Sequence, residues 1–280
     1  MGVGGTSGTC SVGSMVMAVS PPGMSPALPA RFGLPAGAGG RIFGTSGPPP
    51  GSNRGYPMTT RDDASAAPIG RAVAARYGAL AAGTSSLSCG GALELAAPRP
   101  GERLVDLGCG RGGDLLRAAA LVGPDGRVTG VDATPRMVEE ARQRTAGLAN
   151  ASVVQGDLAA VPLPDGCAEV VVSNCAINHA SDKAAVYREV ARLLAPGGRA
   201  VVSDVVSEAV LPESVRSDPA AWAACYGGAI PEAEYLAAVT AAGLTGLRVL
   251  KRSDPYPKGG VRVLSLTLEA RAPRRGAEPK

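Results

Sequence analysis

The stretch VDLGCGRGGDLL at residues 105–116 decides the fold: an apolar run enters a glycine-rich turn and passes directly into a helix-forming segment. Gly108 and Gly110 sit where a strand-to-helix turn must be tight and must let a ligand approach the backbone. A Cβ at either would push that ligand away. Alone, the pattern also fits NAD-dependent folds, so its surroundings carry the decision.

Upstream, Ile69, Val73, Tyr77 and Leu80 recur at three- to four-residue spacing and predict a helix over 66–82. From there strand and helix signals alternate. Strands are expected at 103–107, 127–132, 151–155, 168–173 and 199–205. The intervening helices run over 113–122, over 134–147 (opened by Thr134 and Pro135) and over 182–195, stopped by Pro196-Gly197-Gly198. A helix at 231–243 follows, then strands near 246–252 and 261–269 that lack a helix between them and should pair antiparallel. This predicts an α/β fold: a doubly wound, mostly parallel seven-stranded sheet with a small cap from the irregular stretch 206–230.

Residues 62–205 are thus expected to form the core, 206–270 a substrate cap plus the final strands, and 271–280 a flexible tail. Residues 1–61 contain no Asp or Glu and are dominated by Gly and Pro, a composition that predicts disorder. Met58 opens an ordinary composition, so a start there, a low-complexity extension and a transit peptide all fit the segment. The net charge of +4 comes without a Lys/Arg run, against a nucleic-acid partner. No stretch approaches the ~20 apolar residues that span a bilayer. With no secretory pattern at the N-terminus, a cytoplasmic protein with mostly reduced cysteines is expected. No Cys-x-x-Cys pair occurs among the six cysteines, against a zinc finger.

Three carboxylates fall at strand ends. Asp106 lies on the first strand, Asp132 ends the next, and Asp157 follows the third. Asp132 is placed to accept ribose hydroxyls and Asp157 an adenine amino group. Such a crevice suits a nucleoside cofactor carrying cations and no phosphate, whereas a dinucleotide wants a helix N-terminus at its pyrophosphate.

Across about residues 66–270 the layout resembles class I (Rossmann-like) S-adenosylmethionine methyltransferases, and the run PGGRAVVSDV before the fifth strand strengthens the likeness. The resemblance implies S-adenosyl-L-methionine as cofactor. It implies a lining of Asp106, Gly108, Cys109, Gly110, Asp132, Ala133, Asp157, Leu158 and Asn174, with Met137 packed on the adenine.

Of the cysteines, Cys10 lies in the extension, Cys109 in the glycine loop and Cys167 in a turn. Cys89, Cys175 and Cys225 stand in more particular contexts. RYG followed by Ser-Cys-Gly, Arg-Gly-Gly-Asp after the glycine loop, SNCAIN with Asp-Lys downstream, SDVV…LPE and WAACYGGAI together resemble the arsenite methyltransferase family over most of 76–235. The resemblance implies that Cys89, Cys175 and Cys225 are the catalytic thiolates that hold As(III) as substrate. It also implies a role in arsenic detoxification, arsenite or methylarsenite as acceptor, and an external thiol reductant (glutathione or thioredoxin). Soft, trigonal As(III) suits three thiolates, and thiols of ordinary pKa about 8.5 would release protons on binding it. The arsenic lone pair would then meet the sulfonium methyl without a general base.

Two departures stand out. The cysteine that some family members carry before the first of the three is absent around DDASAAPIG, and the only histidine, His179, replaces a usual Leu. Two other readings stay open: an organic O- or C-methyltransferase with His179 as base, and a non-catalytic metalloid-binding protein. A monomer is the default, since no interface can be read.

Overall fold

The computed structural model describes residues 66–83 and 90–274. The extension expected over 1–61, Cys10, Cys89 and the end of the tail lie outside the described residues. The chain opens with α1 (Ala66–Leu80) and α2 (Ala92–Ala96). Alternation follows: β1 (Arg103–Leu107), α3 (Gly113–Val122), β2 (Arg127–Asp132), α4 (Pro135–Thr145), β3 (Ala151–Gln155) and β4 (Ala168–Asn174). After a 3-10 turn at Ile177–His179 come α5 (Lys183–Leu193) and β5 (Leu194–Ser207). Two short helices, α6 (Glu213–Arg216) and α7 (Pro219–Ala223), fall in the stretch 206–230; α8 (Glu232–Ala241), β6 (Thr245–Arg252), β7 (Tyr256–Lys258) and β8 (Val261–Arg271) follow.

The sheet runs β3-β2-β1-β4-β5-β8-β6, with β7 attached to β8. Strands β1 to β5 pair in parallel, while β8 pairs antiparallel with both β5 and β6. The sheet therefore has eight strands where seven were expected. The added one, β7, has three residues with a central Pro257, too short to leave a periodic signal. Connections reverse direction at β1, which has β2 on one side and β4 on the other. Such a switch point opens a crevice at the carboxyl ends of those strands.

Alternation of side chains builds two cores. Val105, Leu107, Val171 and Val202 face α5 and α8, where Tyr187 and Tyr235 meet edge to face at 5.7 Å. Leu104, Val170, Val172 and Val201 face α2, α3 and α4, against Leu93, Leu115, Val138 and Ala141. With both faces covered, the central strands read as continuous apolar runs rather than as alternating ones. Arg199 locks α2 to β5: it donates to the Ala96 and Ala97 carbonyls and pairs with Glu102 at 2.8 Å.

Helix ends follow local chemistry. Thr134 is extended ahead of Pro135, but its hydroxyl makes no capping bond; its backbone N–H instead donates to Asp132 Oδ1 at 2.8 Å. Helix α5, capped by Asp182 on the Ala185 amide, stops at Leu193 and turns straight into β5. Ala195 precedes a proline, which disfavours helical backbone. Leu194 is already extended and pairs with Ala168 on β4, so Pro196-Gly197-Gly198 lies inside the strand, three residues beyond the last helical residue.

Gly130 on β2 faces α3. A Cβ built there would stand 2.5 Å from Leu115 Cδ1 and 2.7 Å from Cys109 Sγ. Overpacking of this kind costs about 1–3 kcal/mol. Urea unfolding of Gly130→Ala should show that loss; unchanged stability would mean that the loop is not packed against β2 as described.

Candidate functional site

The glycine loop leaves β1 at the switch point. Gly108 and Gly110 have φ of +78° and +51°, where side chains are strained. Backbone N–H groups of Gly108 and Cys109 both donate to the Val131 carbonyl, at 2.8 and 3.0 Å, which ties the loop to β2. A Cβ at Gly108 would strike the methyl of Ala176, so this glycine permits contact with the segment after β4 rather than with a ligand. At Gly110 nothing lies within 4 Å of the Cβ position, so its open side can face a ligand. Cys109 turns inward toward Gly130 and is 8% exposed; burial pushes its thiol well up, so it contributes backbone rather than sulfur.

Carboxylates crowd this loop. Asp106 is 4% exposed, and burial, then the charges of Asp114 and Asp132, raise its carboxyl far above the usual range. Burial also raises Asp132, partly offset because Oδ2 accepts from Gly110 N–H at 2.9 Å and Oδ1 from Thr134 N–H. Asp132 thus stitches the loop to the β2–α4 turn, and its remaining lone pairs are what a ribose could use. Ala133 beside it is exposed, and Met137, on the first turns of α4, is fully enclosed. Asp157 is exposed, with Oδ1 held by the Ala159 amide at 2.8 Å, and Leu158 packs on the core. Asn174 spends its amide on protein: Oδ1 accepts from Ala92 N–H at 3.2 Å and Nδ2 donates to Asp114 Oδ2 at 2.8 Å. Asp114 was quoted within the Arg-Gly-Gly-Asp motif but was not named as a site residue.

Cys175 and Cys225 come from different elements. Cys175 directly follows β4, and its N–H donates to the Ser203 carbonyl at 2.8 Å. Cys225 follows α7, with its N–H on the Trp222 carbonyl at 2.9 Å. Their φ angles are +53° and +66°; among the described residues, Ala97 is the only other non-glycine residue in that region. Such backbone costs of order 1–3 kcal/mol and persists only where its surroundings over-determine it. Gly90, the residue after Cys89, packs against Asn174 and Ser203, beside Cys175.

One side chain relates the two thiols. Tyr77 on α1 places its hydroxyl 3.0 Å from Cys225 Sγ and 3.1 Å from His179 Nε2. Burial, then Cys225 and Cys175, push this phenol far above its ordinary range. Periodicity had marked Tyr77 only as an apolar helix position. His179 is held down to about 4 by burial and then by Lys183, so it is uncharged at neutral pH and a poor general base.

Beneath the thiols lies a buried polar node. Asn178 N–H donates to Asp204 Oδ2 at 3.0 Å; its side-chain amide donates to the Val205 carbonyl at 2.5 Å and, at 3.5 Å, reaches the Cys225 carbonyl. Asp204 also accepts from the Tyr235 hydroxyl at 3.1 Å; burial raises its carboxyl to about 6. Lys183, drawn down to about 8 by burial, donates to the Ala180 carbonyl and lies 5.7 Å from the Trp222 ring centre. Asn178 and Asp204 lie within the SNCAIN and SDVV motifs, but neither was named as a site residue.

Comparison with known proteins fits this geometry. The methyltransferase-domain family matches residues 98–252, more than half of the chain. An arsenite methyltransferase of Halobacterium salinarum is 37% identical over 200 residues, 68% of this chain and 51% of that protein. One of Aquipseudomonas alcaligenes is 41% identical over 139 residues, 46% of this chain and 40% of that one. The chain thus spans about 40 to 51% of the length of these two curated relatives. A solved arsenic(III) S-adenosylmethionine methyltransferase from Chlamydomonas reinhardtii superposes with a TM-score of 0.58 at 32% identity, covering 72% of this chain and 75% of that one. Fold, glycine loop and relatives agree, and the chain belongs to the arsenite S-adenosylmethionine methyltransferase family, with a class I methyltransferase core.

Proposed function

We propose that this chain methylates trivalent arsenic held by Cys89, Cys175 and Cys225, with S-adenosyl-L-methionine as methyl donor and arsenic detoxification as its role. The observation that carries the reading is the pair of cysteines in strained left-handed backbone, one of them, Cys225, within hydrogen-bond distance of the Tyr77 hydroxyl. A cysteine serving only as a small apolar residue needs no such backbone. The poor basicity of His179 argues against an organic acceptor that must lose a proton. The intact glycine loop and its carboxylates argue against a mere metalloid trap.

The cofactor fits the residues present. Asp106, Asp114 and Asp132 repel one another in a buried site, and a cationic ligand relieves that repulsion. Gly110 leaves its backbone approachable, and Asp132 and Asp157 are the candidates for ribose and adenine. When bound, the cofactor supplies an electrophilic methyl. The protein's own part is capture and placement. Each thiol displaces one hydroxide from arsenous acid: an As–S bond forms, an As–O bond breaks, and the thiol proton leaves in water. Arsenic keeps its lone pair, so no base is needed afterwards and catalysis rests on positioning and exclusion of water. A thiol reductant such as glutathione or thioredoxin, giving two electrons and ending as a disulfide, returns the methylated product to the trivalent state. We place the reaction in a cytoplasmic monomer, with residues 62–205 as cofactor core and 206–270 as cap and final strands; among the described residues no helix is long and apolar enough to cross a membrane.

Incubation with arsenite, S-adenosylmethionine and glutathione should yield methylated arsenic by chromatographic speciation; recovery of arsenite alone would refute the proposal. Cys175→Ser and Cys225→Ser should each lower turnover at least 100-fold while cofactor affinity stays within twofold in calorimetry. Asp106→Asn removes a charge that burial and two neighbours disfavour. Its cofactor affinity should fall about tenfold, roughly 1.4 kcal/mol, while resistance to urea holds or rises. A loss of stability together with unchanged affinity would contradict the role given to Asp106.

A further inference from the structure

Helix α1 packs on α7, and through that contact Tyr77 reaches a sulfur 148 positions further along the chain. The Tyr77 hydroxyl is 3.0 Å from Cys225 Sγ and 3.1 Å from His179 Nε2, and Nε2 is 3.5 Å from Sγ, so the three groups close a triangle. A hydroxyl has one proton to give and two lone pairs, so Tyr77 can engage both neighbours at once. The Tyr77 and His179 rings meet edge to face at 5.1 Å, which fixes one against the other. A cysteine side chain turns about a single torsion with three wells, and contacts from two sides select one of them.

We propose that Tyr77 and His179 are positioning residues that hold Cys225 Sγ in the orientation from which it takes arsenic. The inference rests on Cys225 being an arsenic ligand, as read above. In capture, Sγ bonds to arsenic, an As–O bond breaks, and the thiol proton departs with the hydroxide as water; no oxidant or reductant is required. Both residues touch the sulfur, and both lie outside the glycine loop, on α1 and in the turn after β4. Their loss therefore weakens arsenic capture and leaves cofactor binding alone. His179 steadies Tyr77 as well as the sulfur, so an apolar side chain at 179 loosens both.

Steady-state kinetics of Tyr77→Phe, His179→Leu and His179→Gln test this, with S-adenosylmethionine affinity measured for each as a check on folding. Tyr77→Phe and His179→Leu should raise the arsenite KM at least fivefold, with kcat and cofactor affinity within twofold of the parent. His179→Gln keeps a polar group at the triangle and should recover at least half of that loss. If the parent methylates arsenite and Tyr77→Phe keeps the parental KM, the positioning role is overturned while the proposed function stands. A fall in kcat and cofactor affinity without a change in KM, a general packing defect, overturns it equally. If the parent methylates no arsenite, the underlying reading fails and the inference falls with it.

Discussion

The missing side chain at Gly108 is the constraint on which the carboxyl edge of the sheet depends. Its backbone turns left-handed as β1 ends, its own amide and that of Cys109 close on the Val131 carbonyl, and the space a Cβ would take is filled by Ala176. Ala176 follows Cys175. The glycine loop and the segment after β4 therefore pack directly on one another, so the methyl donor and the arsenic that we propose for them would share one crevice. A single methyl at 108 would separate the two halves of the site. Gly130 plays a similar part a layer deeper, where Cys109 and Leu115 close over β2.

Strain and buried polarity are the counterpart of that closeness. Cys175 and Cys225 hold backbone that non-glycine residues rarely adopt, and Asp106 and Asp204 hold carboxyls that burial disfavours. Each is tolerated because its neighbours leave little alternative. Asn178, held by Asp204, anchors the turn after Cys175 and reaches the Cys225 carbonyl, and α1 packs on α7. Groups that cost stability collect where a ligand is to be held, and groups that restore it lie one contact further away.

What could be read from the chain alone follows from which forces are local. The order of strands and helices was legible because buried parallel strands are apolar runs and the turns carry Gly and Pro. β7 and α2 escaped, being three and five residues long. Helix α5 ended early because Leu194 is already extended in pairing with Ala168 on β4 and the residue before the proline is kept out of helical backbone, the first of which no local signal marks. In the site, Cys175 and Cys225 were found through the segments around them. Tyr77 was visible as one of a helical stripe and within the RYG motif, but nothing local says that this position carries a hydroxyl aimed at a distant sulfur. Asn174 was expected to face the cofactor but bridges α2 and α3, a choice set by Ala92 and Asp114 arriving from elsewhere in the fold.

X-ray absorption at the arsenic edge, on the protein loaded with one equivalent of arsenite, measures the central claim most directly. The account predicts a first shell of three sulfurs and no oxygen, falling to two sulfurs and one oxygen in Cys225→Ser. Arsenic that keeps an oxygen shell in the parent protein, or a three-sulfur shell that survives loss of Cys225, would contradict it.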